Sequence, residues 1–186
     1  MKRVFDLVAA GLGLVVLAAP LALLWLLVRA TSPGPGLYWS QRVGRASMLF
    51  PMPKFRTMRI DTPEVATHLL DNPDQWLTPI GGVMRKLSLD ELPQLWSVFI
   101  GHMSLVGPRP ALFNQHDLIA ARQAVGVDSL RPGVTGWAQI NGRDELAIPD
   151  KVALDAEYLR RQSFVFDLQI LVSTVVPVLT ARGVTR

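Results

Sequence analysis

The chain has 186 residues, of which 49% are hydrophobic, and its net charge of +4 gives an isoelectric point near 10.0. This length allows one domain with its own core and an appendage. The chain has no cysteine, which excludes disulfides, thiolate zinc sites and cysteine nucleophiles. No helix-turn-helix, zinc-binding or RNA-stacking motif accompanies the basic charge, so we expect no nucleic acid among the partners.

Residues 7–28 form an uncharged, largely apolar run that has the length of a membrane segment. Pro20 lies inside this run and removes a helical hydrogen bond, so a break is expected there. Each arm alone is too short to cross a bilayer. Lys2 and Arg3 precede the run and Arg29 follows it, which favours the cytoplasm for both ends. We therefore predict a re-entrant helix-break-helix over residues 1–30, with a single kinked span as the alternative.

The stretch from residue 7 to residue 60 contains no acidic residue, and its basic residues are Arg29, Arg42, Arg45, Lys54, Arg56 and Arg59. Such a segment directly after a membrane run suits a surface that meets anionic headgroups. It suits a phosphate-binding wall equally well, and a solubilising basic loop is the third interpretation. Pro51 and Pro53 predict that residues 48–58 are extended.

Asp90 and Glu91 are adjacent carboxylates between basic residues on either side in the sequence. Because proline is tolerated in the first turn of a helix, Pro93 predicts a helix that begins near Asp90 and continues to Ile100, where Gly101 ends it. A carboxylate at the positive end of a helix is held ionised. Further along, the sequence predicts a strand within residues 131–143, a helix over about residues 149–162 and an apolar-striped helix over residues 164–180.

The chain resembles the bacterial sugar transferase family, the monotopic phosphoglycosyl transferases that load a polyprenyl phosphate carrier. The resemblance covers nearly the whole chain and is carried by residues 2–6 (KRVFD), 32–35 (SPGP), 41–44 (QRVG), 54–58 (KFRTM), 89–95 (LDELPQL), 101–110 (GHMSLVGPRP), 131–136 (RPGVTG) and 141–143 (NGR). The family often breaks its membrane helix at Ser-Pro, where this chain has Ala19-Pro20.

The patterns and the resemblance together predict an α+β protein. Its re-entrant membrane segment over residues 1–30 precedes a compact, mainly helical catalytic domain over residues 31–186, with short strands and interfacial amphipathic helices. The resemblance implies transfer of a phosphosugar from a UDP-sugar to polyprenyl (undecaprenyl) phosphate with release of UMP. It also implies a location at the bacterial inner membrane, against the lipids of its cytoplasmic leaflet. The sequence identifies neither the sugar nor the oligomeric state, for which a dimer is one possibility.

The resemblance implies that Asp90 is the nucleophile that attacks the β-phosphorus, and that Glu91 is a metal ligand or acts on the incoming acceptor. Mg²⁺ is the implied cofactor, with Asp90 and Glu91 as its candidate ligands. The candidate substrate-binding residues are Arg85, Arg109, Lys54, Arg56, Arg131 and Arg143. Lys54 and Arg56 face either the lipid phosphate or the headgroups in this hypothesis. Asp155, Tyr158 and Asp167 are interpreted as structural.

Other classes of function explain part of the sequence. A non-catalytic membrane protein that binds anionic lipids accounts for the charge and for residues 7–28, but gives no reason for Asp90-Glu91 beside arginines. A Mg²⁺-dependent membrane phosphatase accounts for the carboxylates, but it would need no lipid acceptor. UMP release from a UDP-sugar, absent in Asp90→Asn, separates the enzyme from the non-catalytic protein. Dependence of the product on acceptor separates it from the phosphatase.

Overall fold

The structure, a computed structural model, describes residues 1–63, 70, 72–142 and 146–180, with side chains of the last helix described through residue 175. The helices are α1 (Lys2–Val16), α2 (Ala18–Thr31), α3 (Gly81–Lys86), α4 (Gln94–Ile100), α5 (His116–Ala124), α6 (Trp137–Ile140), α7 (Ile148–Arg161) and α8 (Phe164–Thr180). The strands are β1 (Leu37–Val43), β2 (Leu49–Phe55), β3 (Ser104–Val106) and β4 (Gly133–Thr135). The predicted mixture of helices and short strands is confirmed.

The N-terminal apolar run forms the helices α1 and α2, which are bent by 62°. The break falls at Leu17 rather than at Pro20, and Pro20 lies in the first turn of α2. A proline ring in a helix collides with the carbonyl one turn earlier, which here belongs to Val16, the last residue of α1. The predicted break therefore exists, but the prediction placed it too late in the chain. Among the described residues, no single helix is long and apolar enough to cross a membrane, whereas α1 and α2 together pass that test by length and composition.

The start of α1 is attached to the body that follows α2. The buried carboxylate of Asp6 accepts hydrogen bonds from Ser104 Oγ at 2.9 Å and from the Leu105 backbone N–H at 3.0 Å, at strand β3. Arg3 donates to the carbonyls of Val98 at 2.6 Å and Phe99 at 2.9 Å, near the end of α4. A guanidinium at the carbonyl end of a helix is favourable.

Lys2 belongs to a second polar cluster at the same end of α1. Its ammonium lies 2.6 Å from Asp167 of α8 and donates to the Val106 carbonyl at 3.0 Å. Tyr158 of α7 donates its hydroxyl to the same carboxylate at 2.7 Å. Burial and the hydrogen bond to Asp167 raise the pKa of Tyr158 above its ordinary value, so the phenol stays neutral. The basic residues before the apolar run therefore contact protein groups.

Strands β1 and β2 form an antiparallel hairpin, which confirms the predicted extended segment. Pro51 and Pro53 lie on β2, which pairs only with β1 within the part of the chain that the structure describes, so their missing N–H groups cost no ladder bonds. Phe50 and Met52 are buried in a cluster that also contains Val98 of α4, Ala10 of α1 and Met103. The hairpin is thereby fixed against the helix that follows Asp90.

Strands β3 and β4 pair in parallel, and α8 packs beneath them. The predicted helix over residues 164–180 is confirmed, and its core-facing residues are Phe166 and Ile170. Val165, Val172 and Val175 are exposed. This helix therefore contributes to the core and keeps an apolar outer face.

Candidate active site

Asp90 lies in a short 3₁₀ turn, Leu89–Glu91, and not at the start of a long helix. The helix α4 begins only at Gln94, and Gly101 ends it in a left-handed conformation, as predicted. The turn closes through hydrogen bonds from Glu91 N to Ser88 O and from Leu92 N to Leu89 O. Because Pro93 has no N–H, it cannot extend this turn as a regular helix. The prediction that Asp90 caps the helix was therefore wrong.

The electrostatic surroundings of Asp90 differ from those expected at a helix start. Asp90 is 8% exposed, and burial raises the pKa of its carboxyl group. The nearby charges of Lys54, Arg85 and Arg109 act in the opposite direction and favour the carboxylate. The neighbouring Glu91 carboxylate adds to the effect of burial, so the pKa of Asp90 stays above its ordinary value. The three cations, rather than a helix dipole, offset part of that rise.

Glu91 is the centre of an ion cluster. Its Oε1 lies 2.8 Å from Lys54 Nζ and 2.8 Å from Arg109 Nη2, while Arg109 Nη1 donates to Oε2 at 3.4 Å. Burial alone would raise the pKa of Glu91, but the two cations outweigh it and hold that pKa well below its usual range. Glu91 is therefore a carboxylate that fixes two cations beside Asp90.

The cluster stands beside a cleft of about 410 Å³ between the hairpin and the segment after β3. Its basic lining residues are Arg42, Lys54, Arg56, Arg59, Arg85, Arg109, Arg122 and Lys151. Asp90 is the only acidic residue among the described residues that line it, and Glu91 is not one of the lining residues. A cleft of this charge favours an anionic ligand and places one carboxylate against it.

The structure brings most of the predicted site residues together. Lys54, Arg85 and Arg109 line the cleft with Asp90. Arg56 also lines it, but its guanidinium is largely committed to the Pro35 carbonyl at 2.6 Å and the Ser32 carbonyl at 3.0 Å. Arg56 therefore ties the end of α2 to strand β2.

The remaining candidates do not meet at this cleft. Arg131 donates to the Gly101 carbonyl at 3.1 Å, at the end of α4, and is not among the lining residues. Arg143 lies outside the described residues. The substrate-binding role predicted for these arginines stays a prediction.

Sequence reasoning missed four basic residues of the cleft, which are Arg42, Arg59, Arg122 and Lys151. Arg42 and Arg59 were noted only as part of a basic stretch. Arg122 and Lys151 lie on α5 and α7, far from the carboxylate pair in sequence. Only the packing of α5 against α7 brings them to the cleft.

The residues of the cleft suit Mg²⁺ that is bound jointly by protein and substrate. Mg²⁺ is usually held by one or two carboxylates together with substrate phosphates and water. Within the described ranges there is no group of three or more His, Cys, Asp or Glu residues that could hold a metal on its own. Asp90 is available in the cleft, while the carboxylate of Glu91 already binds two cations. The donor set therefore suits an ion that arrives with substrate phosphates and contacts Asp90.

Residues 1–181 match the bacterial sugar transferase family, so the chain belongs to that family of transferases. It is 41% identical over 187 residues to the uncharacterized sugar transferase EpsL of Bacillus subtilis, covering 100% of this chain and 91% of EpsL.

The two relatives below, whose names state the lipid acceptor, are longer proteins. The undecaprenyl-phosphate glucose phosphotransferase of Komagataeibacter xylinus is 41% identical over 187 residues, which are 94% of this chain and 35% of that protein. The UDP-glucose:undecaprenyl-phosphate glucose-1-phosphate transferase of Escherichia coli is 38% identical over 185 residues, 94% of this chain and 39% of that protein. The chain thus spans a little over a third of these relatives.

Proposed function

We propose that this protein transfers a sugar phosphate from a UDP-sugar to a polyprenyl phosphate, giving polyprenyl-diphosphate-sugar and UMP. The observation that carries the proposal is Asp90, the single described acid in a cleft lined by cations. The names of the two longer relatives, an undecaprenyl-phosphate phosphotransferase and a UDP-glucose-dependent transferase, support the substrate classes. The product would be the first lipid-linked intermediate of a surface glycan.

In the proposed first step, a carboxylate oxygen of Asp90 attacks the β-phosphorus of the UDP-sugar. The bond from this phosphorus to the oxygen bridging it to the α-phosphorus breaks, and UMP leaves with that oxygen. The sugar phosphate is then held on Asp90 as an acyl phosphate, as in other covalent phosphoryl transfers. In the second step, a phosphate oxygen of the lipid attacks the same phosphorus and releases Asp90.

The surrounding cations make the first step possible. An anionic carboxylate and a diphosphate repel each other, so positive charge must be fixed near the phosphorus before attack. Arg109 and Lys54 are held in place by Glu91, and Arg85 adds to the positive potential at Asp90. Mg²⁺, when bound by Asp90 and the diphosphate oxygens, would neutralise further phosphate charge.

The test of this function is UMP release from a panel of UDP-sugars, including UDP-glucose, UDP-galactose and UDP-N-acetyl sugars. We expect sustained UMP release with at least one of them only when polyprenyl phosphate and Mg²⁺ are both present, and its loss when EDTA removes the metal. Equal turnover without the lipid acceptor would indicate a hydrolase instead. No UMP with any donor would contradict the proposal.

We also propose that α1 and α2 enter and leave the cytoplasmic leaflet of the inner membrane as a re-entrant pair. The contact of Lys2 with Asp167 supports it, because the start of α1 then lies on the same folded body that follows α2. Exposed apolar side chains on neighbouring elements, including Trp96 and Phe99 of α4, suit the same lipid surface.

Cysteine labelling tests this topology without background, since the chain has no cysteine. One variant carries a cysteine in a short tag before Met1, and the other is Ser129→Cys, at an exposed position in the body after α2. In sealed inverted vesicles, a membrane-impermeant maleimide is expected to label both. Labelling of only one of them, with the other labelled after the vesicles are opened, would show a single span.

A further inference from the structure

The segment around Arg109 is held by its carbonyl groups. Pro108 and Pro110 flank Arg109 and have no N–H, so this stretch can be fixed mainly through its oxygen atoms. Gly133 N–H donates to the Pro108 carbonyl at 2.9 Å, and Val43 N–H donates to the Ala111 carbonyl at 2.9 Å. Strand β1 and strand β4 therefore hold the two ends of the segment.

Arginine side chains hold the carbonyls between those ends. Arg122 Nη1 donates to the Arg109 carbonyl at 2.8 Å, and Arg42 Nη1 donates to the Pro110 carbonyl at 3.0 Å. A hydrogen bond from a charged donor is stronger than one between neutral groups. The peptide unit that carries Arg109 is thus fixed directly by the guanidinium of Arg122.

Arg122 is in turn fixed by Asp155 of α7. Its Nε and Nη2 donate to Asp155 Oδ2 at 2.9 and 2.6 Å. The side chains are 9% and 2% exposed, so the pair is buried. Every guanidinium nitrogen of Arg122 is therefore engaged with protein, although the residue borders the cleft. This arrangement suits a residue that acts through Arg109 rather than one that binds phosphate itself.

We propose that Arg122, held by Asp155, is a positioning residue that sets the place of the Arg109 guanidinium beside Asp90 during sugar-phosphate transfer. The inference rests on the proposed function. It adds a series of contacts from Asp155 of α7 through Arg122 to Arg109, which acts on the reacting phosphate. Arg109 reaches Glu91 at 2.8 Å from a backbone that Arg122 fixes, so a shift of that backbone displaces the cation from the phosphorus.

A double-mutant cycle tests the link. The variant Arg122→Gln/Asp155→Asn removes both charges of the buried pair together, so neither is left unpaired. We expect kcat to fall by about 10²-fold, as for a misplaced catalytic group, with KM for the UDP-sugar changed much less. In an Arg109→Ala background the same pair of substitutions is expected to lower kcat by less than about 3-fold, since interacting residues are not additive.

The control is Arg160→Gln, an exposed arginine of α7, which is expected to leave kcat unchanged. Melting temperatures show whether each variant folds. If the Arg122→Gln/Asp155→Asn variant does not fold, Arg122→Lys is used in its place. Lysine keeps a positive charge for Asp155 but has one donor nitrogen instead of the several of a guanidinium. It is expected to lower kcat while the protein still melts cooperatively, and to lose that effect in the Arg109→Ala background.

The inference is overturned if the Arg122 variants retain wild-type kcat, or if their loss is equally large with and without Arg109. Either result requires that the wild-type protein turns over. A wild-type protein that releases no UMP from any donor contradicts the proposed function instead, so the failures are distinguishable.

Discussion

Asp90→Asn is expected to lower UMP release by about 10⁴-fold or more, the size of loss seen when a nucleophile that forms a covalent intermediate is removed. The amide has nearly the same shape as the carboxylate but does not form the acyl phosphate. The measurement is the rate of UMP release in detergent or vesicles, with lipid acceptor and Mg²⁺ at saturating concentrations.

The same variant is expected to fold as well as the wild type. Burial raises the pKa of Asp90, so the folded protein bears a cost for the charged form that an amide avoids. The melting temperature should be equal or higher. The matched control is Asp74→Asn, at an exposed position outside the cleft, which should retain full activity. Asp90→Asn activity within 10-fold of wild type would rule out Asp90 as the nucleophile.

Glu91→Gln is expected to impair both stability and transfer. Removing one partner of a fully buried ion pair typically costs about 3–5 kcal/mol, because charge is left without compensation. The loss here is expected to be smaller, since the Arg109 side chain is 32% exposed. Here Lys54 and Arg109 would both lose their carboxylate. We expect a clear fall in the urea midpoint, together with a loss in kcat of about 10²-fold because the cations are no longer fixed.

Magnesium titration separates this account from a role for Glu91 as a metal ligand. If Glu91 positions cations, excess Mg²⁺ should not restore kcat in Glu91→Gln, and the Mg²⁺ concentration for half-maximal rate should stay near that of the wild type. Glu157→Gln is the comparison for stability: the ion pair of Glu157 with Arg161 lies at the surface and contributes little, and glutamine can still accept the hydrogen bond from Trp137 Nε1. Recovery of the wild-type rate at high Mg²⁺ would contradict the positioning role.

The sequence predicted features that depend on local chemistry. Pro20 breaks the apolar run, and Gly101 ends α4. Prolines in residues 48–58 keep β2 extended. The exact place of the bend was missed because a proline acts on the carbonyl one turn before it, so the helix ended at Val16.

Features that depend on distant contacts could not be predicted. The two ion-pair partners of Glu91 are Lys54 of β2 and Arg109 of the segment after β3. Because both are distant from Glu91 in sequence, the sequence did not show these pairs. The sequence did not show that Lys2 pairs with Asp167 of α8. Arg122 and Asp155 meet only when α5 packs against α7. Such contacts follow from tertiary packing and leave no periodic signal.

The central claim is that Asp90 carries the sugar phosphate between donor and acceptor. Mass spectrometry of the protein, quenched after exposure to a reactive UDP-sugar and Mg²⁺ without lipid acceptor, tests it directly. We expect a peptide containing Asp90 to gain the mass of one sugar phosphate, to lose it when polyprenyl phosphate is added, and to gain nothing in Asp90→Asn. Rapid acceptor-dependent turnover with no adduct on Asp90 at any time point, or an adduct on another residue, would contradict the account.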